Sequence, residues 1–240
     1  ALYANTTGTE NVAVGMASLD NCDVGSENTA IGKSALGNDT KGSRSTAVGN
    51  SALQTQNFTS ATNAYNSAFG FNAGGAVTTG LRNTLIGAKA GDTITTGGDN
   101  VAVGANALTA NTTASSNTAV GSSALLANTT GTRNTAVGAN ALDASTTANY
   151  NSAFGTHAGS SITTGSLNSV FGDYALAATT TGDGNSAFGQ AALGQNTTGH
   201  SNTAVGKVSL YSNTQGLRNT GLGFNAGGGI TNGDDNTMIG

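Results

Sequence analysis

The sequence predicts an all-β fold, a parallel β-solenoid built from short rungs of constant length, and three observations predict it. A five-residue signature of the form Asn-Thr-Ala-Val-Gly recurs with its last Gly at 15, 32, 49, 70, 87, 104, 121, 138, 155, 172, 189, 206, 223 and 240. The step between successive glycines is the same throughout except for the longer one from Gly49 to Gly70, and a fixed period of this size is the mark of stacked supersecondary units. Short runs of β-forming residues are separated by Gly and Asn corners, which leaves no room for a long helix. The 240 residues include 37 Gly, no Pro, no Trp and 8% charged side chains, a composition that suits thin, turn-rich coils better than a compact enzyme domain.

With that Gly as position zero, position −1 is always large and apolar: Val14, Ile31, Val48, Phe69, Ile86, Val103, Val120, Val137, Phe154, Phe171, Phe188, Val205, Leu222 and Ile239. Where it is Phe, position −3 is Ser (Ser67, Ser152, Ser169, Ser186), and elsewhere −3 is Thr or Val. Residues two apart on a strand share a face, so the match implies a shared volume, and the −1 column is expected to be the core ladder. Position −2, mostly Ala, then lies on the outer face, flat enough for a second sheet to approach. At +4, Leu gives way to Gly74, Gly91, Gly159 and Gly227, and in those units +7 becomes Val77, Ile94, Ile162 or Ile230. One core slot is expected to be filled from two positions. Position −4 is Asn throughout except Ser45, and an in-register Asn column is expected to stack amide on amide. Many units close on a Thr-Thr-Gly turn such as Thr129-Thr130-Gly131.

Residues 1–240 are expected to form one array of about 14 rungs, with a four-residue insertion in the 53–65 loop and both ends cut mid-repeat. Leu, Ile, Val and Phe number only 41, so two large side chains per rung oppose the entropy of ordering the whole coil. A partner chain is therefore expected, with self-association into a trimer favoured.

Several classes fall. Net charge is −4, and between residues 90 and 206 the only basic residue is Arg133, so no basic stripe meets a phosphate backbone and nucleic acid is not an expected partner. No apolar run approaches membrane-spanning length, so this segment is not expected to insert into a membrane. Cys22 is alone. No Ser/His/Asp, Cys/His or paired-carboxylate constellation stands out, so no enzyme, cofactor or metal site is expected.

The units NTAVGSSALLANTTGTR (117–133) and NTAVGANALDASTTANY (134–150) resemble the left-handed parallel β-roll repeats of trimeric autotransporter adhesin heads, and similar arrays in phage and virus tail-fibre proteins. The adhesin unit is commonly shorter; the added Asn-Thr-Thr-Gly segment here looks closer to the tail-fibre arrays. The resemblance implies a left-handed β-roll, a homotrimer, an extracellular, cell-surface or virion location, and a structural or adhesive fibre segment that attaches to a host surface, receptor or glycan, with no catalytic residues to carry over.

Candidate binding residues follow from position. Phe58 and Tyr65, in the insertion, could stack on a sugar or a neighbouring subunit. The +8 threonines, Thr112, Thr129, Thr146, Thr163, Thr180 and Thr197, could form an outward ladder that reads a crystalline or polymeric target, which makes an ice- or crystal-binding protein the alternative function. Gly97-Gly98-Asp99-Asn100 and Gly233-Asp234-Asp235-Asn236 resemble calcium turns but lack the nonapeptide spacing and are expected to be solvated. His157 and His200 occupy different parts of the coil, and a shared metal site is not expected.

Overall fold

A computed structural model describes residues 1–240. The chain contains strands, turns and no helix, and falls into two compact units, residues 1–117 and 118–240, each a parallel β-solenoid.

In the first unit the strands are β1 (Val12–Val14), β2 (Thr29–Ile31), β3 (Gly42–Ser43), β4 (Thr46–Val48), β5 (Thr62–Asn63), β6 (Ser67–Phe69), β7 (Thr84–Ile86) and β8 (Val101–Val103). The main ladder runs β1-β2-β4-β6-β7-β8, all parallel, and β3 pairs β5 separately. Register follows the repeat: Val14 faces Ile31, and across the insertion Val48 faces Phe69. The second unit stacks β9 (Thr118–Val120), β10 (Thr135–Val137), β11 (Ser152–Phe154), β12 (Ser169–Phe171), β13 (Ser186–Phe188), β14 (Thr203–Val205), β15 (Thr220–Leu222) and β16 (Thr237–Ile239) in chain order.

Each strand of the main ladder is only three residues because left-handed backbone brackets it. In one rung of the second unit, Arg133, Asn140 and Leu142 (positions −5, +2 and +4) have φ of 57°, 54° and 51°, and the same three positions turn the chain in nearly every rung. The signature Gly is required by contact as well as by dihedral. Gly155 has φ +139°, and a Cβ there would lie 2.6 Å from the carbonyl oxygen of Gly172 in the next rung, far inside van der Waals contact. Position +4 is left-handed too, which is why Gly replaces Leu there without backbone strain.

The core departs from the sequence expectation. Ala at −2 and +3 and Leu at +4 are fully buried, as Ala136, Ala141 and Leu142 illustrate. The expected core ladder lies outside: Val14, Ile31, Phe69, Ile86, Phe154, Phe171, Phe188, Val205, Leu222 and Ile239 are exposed, and Val48, Val103, Val120 and Val137 are half-buried. Two walls of so short a coil stand too close for large side chains from both. Leu from one wall fills the interior, and only Ala or Gly fits opposite it. The −3 residues are half-buried or exposed beside −1, so the Phe/Ser match belongs to the outer face.

The shared core slot is as expected. Val77, Ile94 and Ile162 are fully buried, and a Cβ on Gly91 or Gly159 would lie 2.7 or 2.9 Å from Cδ1 of Ile94 or Ile162.

Candidate functional site

The Asn column is a structural brace. In the second unit Asn151 Oδ1 accepts the Asn168 N–H at 2.9 Å and the Asn168 Nδ2 at 3.1 Å, while Asn151 Nδ2 donates to the Gly165 carbonyl at 2.8 Å. Such asparagines are buried, and each spends its amide on the next rung, leaving nothing to offer a ligand.

The +8 threonines are likewise engaged. Thr163 donates its N–H (2.9 Å) and its Oγ1 (3.0 Å) to the Thr180 carbonyl, which also takes the Thr164 N–H at 3.3 Å. Thr129, Thr146, Thr180 and Thr197 donate their hydroxyls in the same way to the rung that follows, and the Thr112 carbonyl accepts from Thr95 Oγ1 at 3.0 Å. The hydroxyl protons of Thr129, Thr146, Thr163, Thr180 and Thr197 serve the ladder. The next position is outward throughout the second unit, with Thr130, Thr147, Thr164, Thr181 and Thr198 all exposed, whereas in the +8 column Thr112 and Thr129 are exposed and Thr146, Thr163, Thr180 and Thr197 are half-buried.

Of the two aromatic residues singled out in the insertion, Phe58 turns inward and is only 5% exposed, so it offers no surface for recognition; an apolar ring beside the thin core is better covered than solvated. Asn57 and Ala64 keep their ladder bonds to Thr78 and Ser43 (3.0 and 2.9 Å), so the extra length lies between them, with Thr59, Ser60 and Ala61 exposed. Tyr65 is 47% exposed but already partnered: Arg44 Nη1 donates to its hydroxyl at 2.8 Å and the guanidinium sits 5.7 Å from the ring centre.

Beneath the insertion lies a buried polar cluster that sequence patterning did not single out. Asp39, 1% exposed, accepts the Gly42 N–H at 2.9 Å and Gln56 Nε2 at 2.6 Å. Gln56 also donates to Ser45 Oγ at 3.0 Å and accepts Asn66 Nδ2 at 2.8 Å. The Gln56 amide thus stands where the Asn column is interrupted by Ser45. Burial pushes the Asp39 carboxyl above the usual aspartate range, opposed by Gln56 and the backbone amides of Gly42, Lys41 and Phe58. The one sequence signal was that two consecutive +7 positions, normally Asn, Ser, Thr or apolar, carry Asp39 and Gln56. Cys22, also at +7, is buried, its thiol pushed up by burial and then by the Asp39 charge, which makes it a poor nucleophile.

All four arginines occupy position −5, where they meet acids or tyrosines one rung away. Arg44 pairs with Glu27 (3.1 Å), Arg82 with Asp99 and Arg218 with Asp235 (2.6 Å each), and Arg133 donates to the Tyr150 hydroxyl. The two acidic turns are therefore occupied by guanidinium: Arg82 and Arg218 hold Asp99 and Asp235 below the usual carboxylate range. No group of three or more His, Cys, Asp or Glu is placed to hold a metal ion, and no helix is long and apolar enough to cross a membrane. His200 Nδ1 accepts the Asp183 N–H at 2.9 Å, whereas His157 stacks on Tyr174 with ring centres 4.7 Å apart.

What remains free is the outer strand face. In the second unit Phe154, Phe171 and Phe188 stack with centroid separations of 4.7 and 5.0 Å and interplanar angles of 7°, yet 38% of Phe171 stays exposed. Val205 and Leu222 continue that column, flanked by Ser and Thr at −3. In the first unit Ile31, Phe69 and Ile86 form the equivalent exposed stripe. Compared with known protein families the chain matches no family model, and no characterised protein matches it.

Proposed function

We propose that this chain is a non-enzymatic structural and adhesive fibre segment that associates with copies of itself through the exposed −1 stripe. The observation that carries the reading is that stripe: a regular column of Val, Ile, Phe and Leu on the outer face of three-residue strands. Contiguous apolar surface of this kind marks association sites. Three chains meeting along such stripes, the arrangement implied by the resemblance to adhesin heads and tail fibres, would cover them. The location would be extracellular, on a cell surface or virion. Binding of a host surface would then be multivalent, weak contacts on each chain adding through effective concentration.

The test is the triple substitution Phe154→Ser, Phe171→Ser and Phe188→Ser, examined by light scattering after size exclusion. Loss of association with circular dichroism unchanged supports the reading; undiminished association would overturn it.

A second reading, ice or crystal binding, draws on the exposed +9 threonines of the second unit rather than on the +8 column. Replacing Thr147, Thr164 and Thr181 by Lys should abolish ice-growth inhibition on that reading, and wild-type protein without such activity rejects it.

A further inference from the structure

One feature of the second unit is not produced by the repeat. A cleft of about 260 Å³ is lined by Tyr174, Ala177, Gln190, Ala191, Gly194 and Tyr211. It arises where two columns break pattern in adjacent rungs. Column +2 carries Tyr174 and then Ala191; column +5 carries Gly194 and then Tyr211. Two large rings therefore flank a rung whose own side chains at those positions are a methyl group and a hydrogen. A Cβ on Gly194 would stand 2.9 Å from Cε2 of Tyr211, so Gly at that position is what lets the Tyr211 ring lie where it does.

Both rings are held from outside the cleft. Tyr174 stacks on His157 one rung before it, at 4.7 Å and 8°, and His157 Nε2 is 3.2 Å from Asn140 Nδ2. Tyr211 accepts a hydrogen bond from Gln195 Nε2 at 3.2 Å. Tyr174 nevertheless remains 50% exposed, and Gln190 at the rim is exposed. A fixed aromatic face beside a free amide suits a ligand with one apolar face and a polar edge.

We propose that this cleft binds a single pyranose unit, its C–H face against the Tyr174 ring and its hydroxyls toward Gln190 and the tyrosine hydroxyls. A six-membered sugar has that division of surface, and the volume lies just below the range of pockets for drug-sized ligands, which suits one ring. This deepens the adhesive reading by naming a ligand class, and it rests on that reading for its biological use.

The test is saturation-transfer difference NMR on the assembled protein with methyl α-D-mannopyranoside, methyl β-D-glucopyranoside and methyl β-D-galactopyranoside as probes. Tyr174→Ala removes the platform at a position where Ala191 shows that Ala fits the backbone. Ala191→Tyr instead extends the ring stack into the cleft and keeps both tyrosines. At least one glycoside should give a signal, strongest at its ring C–H protons, which falls at least about fivefold in both variants while their melting temperatures stay near wild type. No signal from any of the three, or a signal retained in Tyr174→Ala, would overturn the proposal. Sedimentation of the same samples separates the two readings: an associated protein without sugar binding rejects the cleft alone, whereas a sugar-binding monomer rejects the fibre alone.

Discussion

Cδ1 of Leu85 lies 2.6 Å from the point where a Cβ on Gly74 would stand, and Cδ2 of the same leucine lies 2.8 Å from the corresponding point on Gly91. Leu85 at −2 is thus the leucine its neighbours lack at +4. The relationship recurs at Gly227, where Cε of Met238 lies 2.5 Å from the corresponding point; in sequence Gly159 is likewise followed by an enlarged −2 residue, Val170, while after every +4 Leu the next −2 residue is Ala or Gly. Gly91 is followed by Ala102, its space being taken already by Leu85.

That coupling is testable by a double-mutant cycle. Gly74→Leu alone should overpack the core and destabilise by about 1–3 kcal/mol, and Leu85→Ala alone should leave a cavity and destabilise by about 2–5 kcal/mol. Combined, they restore the common Leu/Ala pair and should lose clearly less than the sum of the two. Urea unfolding midpoints of the four proteins measure it; strict additivity would mean the two sites do not share a slot.

The assignment of faces makes a second contrast. Ala136→Leu enlarges a buried −2 residue in a unit where Leu142 already fills the interior, so a loss of about 1–3 kcal/mol is expected. Val137→Ile, one residue on, enlarges the outer column at a position where Ile31 and Ile86 already stand beside Thr at −3, as Thr135 stands here, and should change monomer stability by less than about 0.5 kcal/mol. Thermal melts of both variants distinguish inside from outside.

Loss of one rung of the Asn brace should be severe. Asn151→Ala removes the acceptor for the Asn168 N–H and the donor to Gly165, leaving buried backbone groups unsatisfied at about 1–3 kcal/mol each. Thr147→Ala in the same rung, at an exposed position, should shift stability by no more than about 0.5 kcal/mol. The comparison is read from chemical denaturation.

Asp39 gives the pH dependence a sign. Its carboxyl is raised by burial in the folded protein, so the folded state holds the proton more tightly than the unfolded chain does. The stability from this group is fully present below the unfolded aspartate value of about 3.9 and is lost as pH rises through the higher folded value. Asp39→Asn should therefore raise the melting temperature at neutral pH and flatten its decline above the unfolded aspartate value. Asparagine at +7 is already accommodated at Asn111, whose side chain exchanges bonds of 3.1 and 3.0 Å with the backbone of Ala114.

The period, the parallel register, the Asn brace and the shared +4/+7 slot were all legible in the sequence, because each is a constraint repeated in many rungs. The orientation of the strand differs from the sequence expectation for a physical reason. The Phe/Ser match between −1 and −3 ties two positions to one face of the strand, but it does not say whether that face is the inner or the outer one. The deciding signal was the enlargement of −2 after Gly74, Gly159 and Gly227, which ties −2 to the leucine column and so to the interior. The Thr corner is legible only in part: composition marks a Thr-Thr pair, but which threonine gives its hydroxyl to the next carbonyl depends on the turn. Phe58 and the Asp39–Gln56 cluster occur once, so no repetition exposed them.

The stripe of Phe154, Phe171 and Phe188 is left uncovered in a single chain, and its covering by copies of the same chain is the claim on which the fibre reading depends. Equilibrium sedimentation of the wild-type protein across a hundredfold concentration range tests it most directly. A single species at three times the chain mass of 23.2 kDa is the expected result; a species that stays at 23.2 kDa throughout would contradict it.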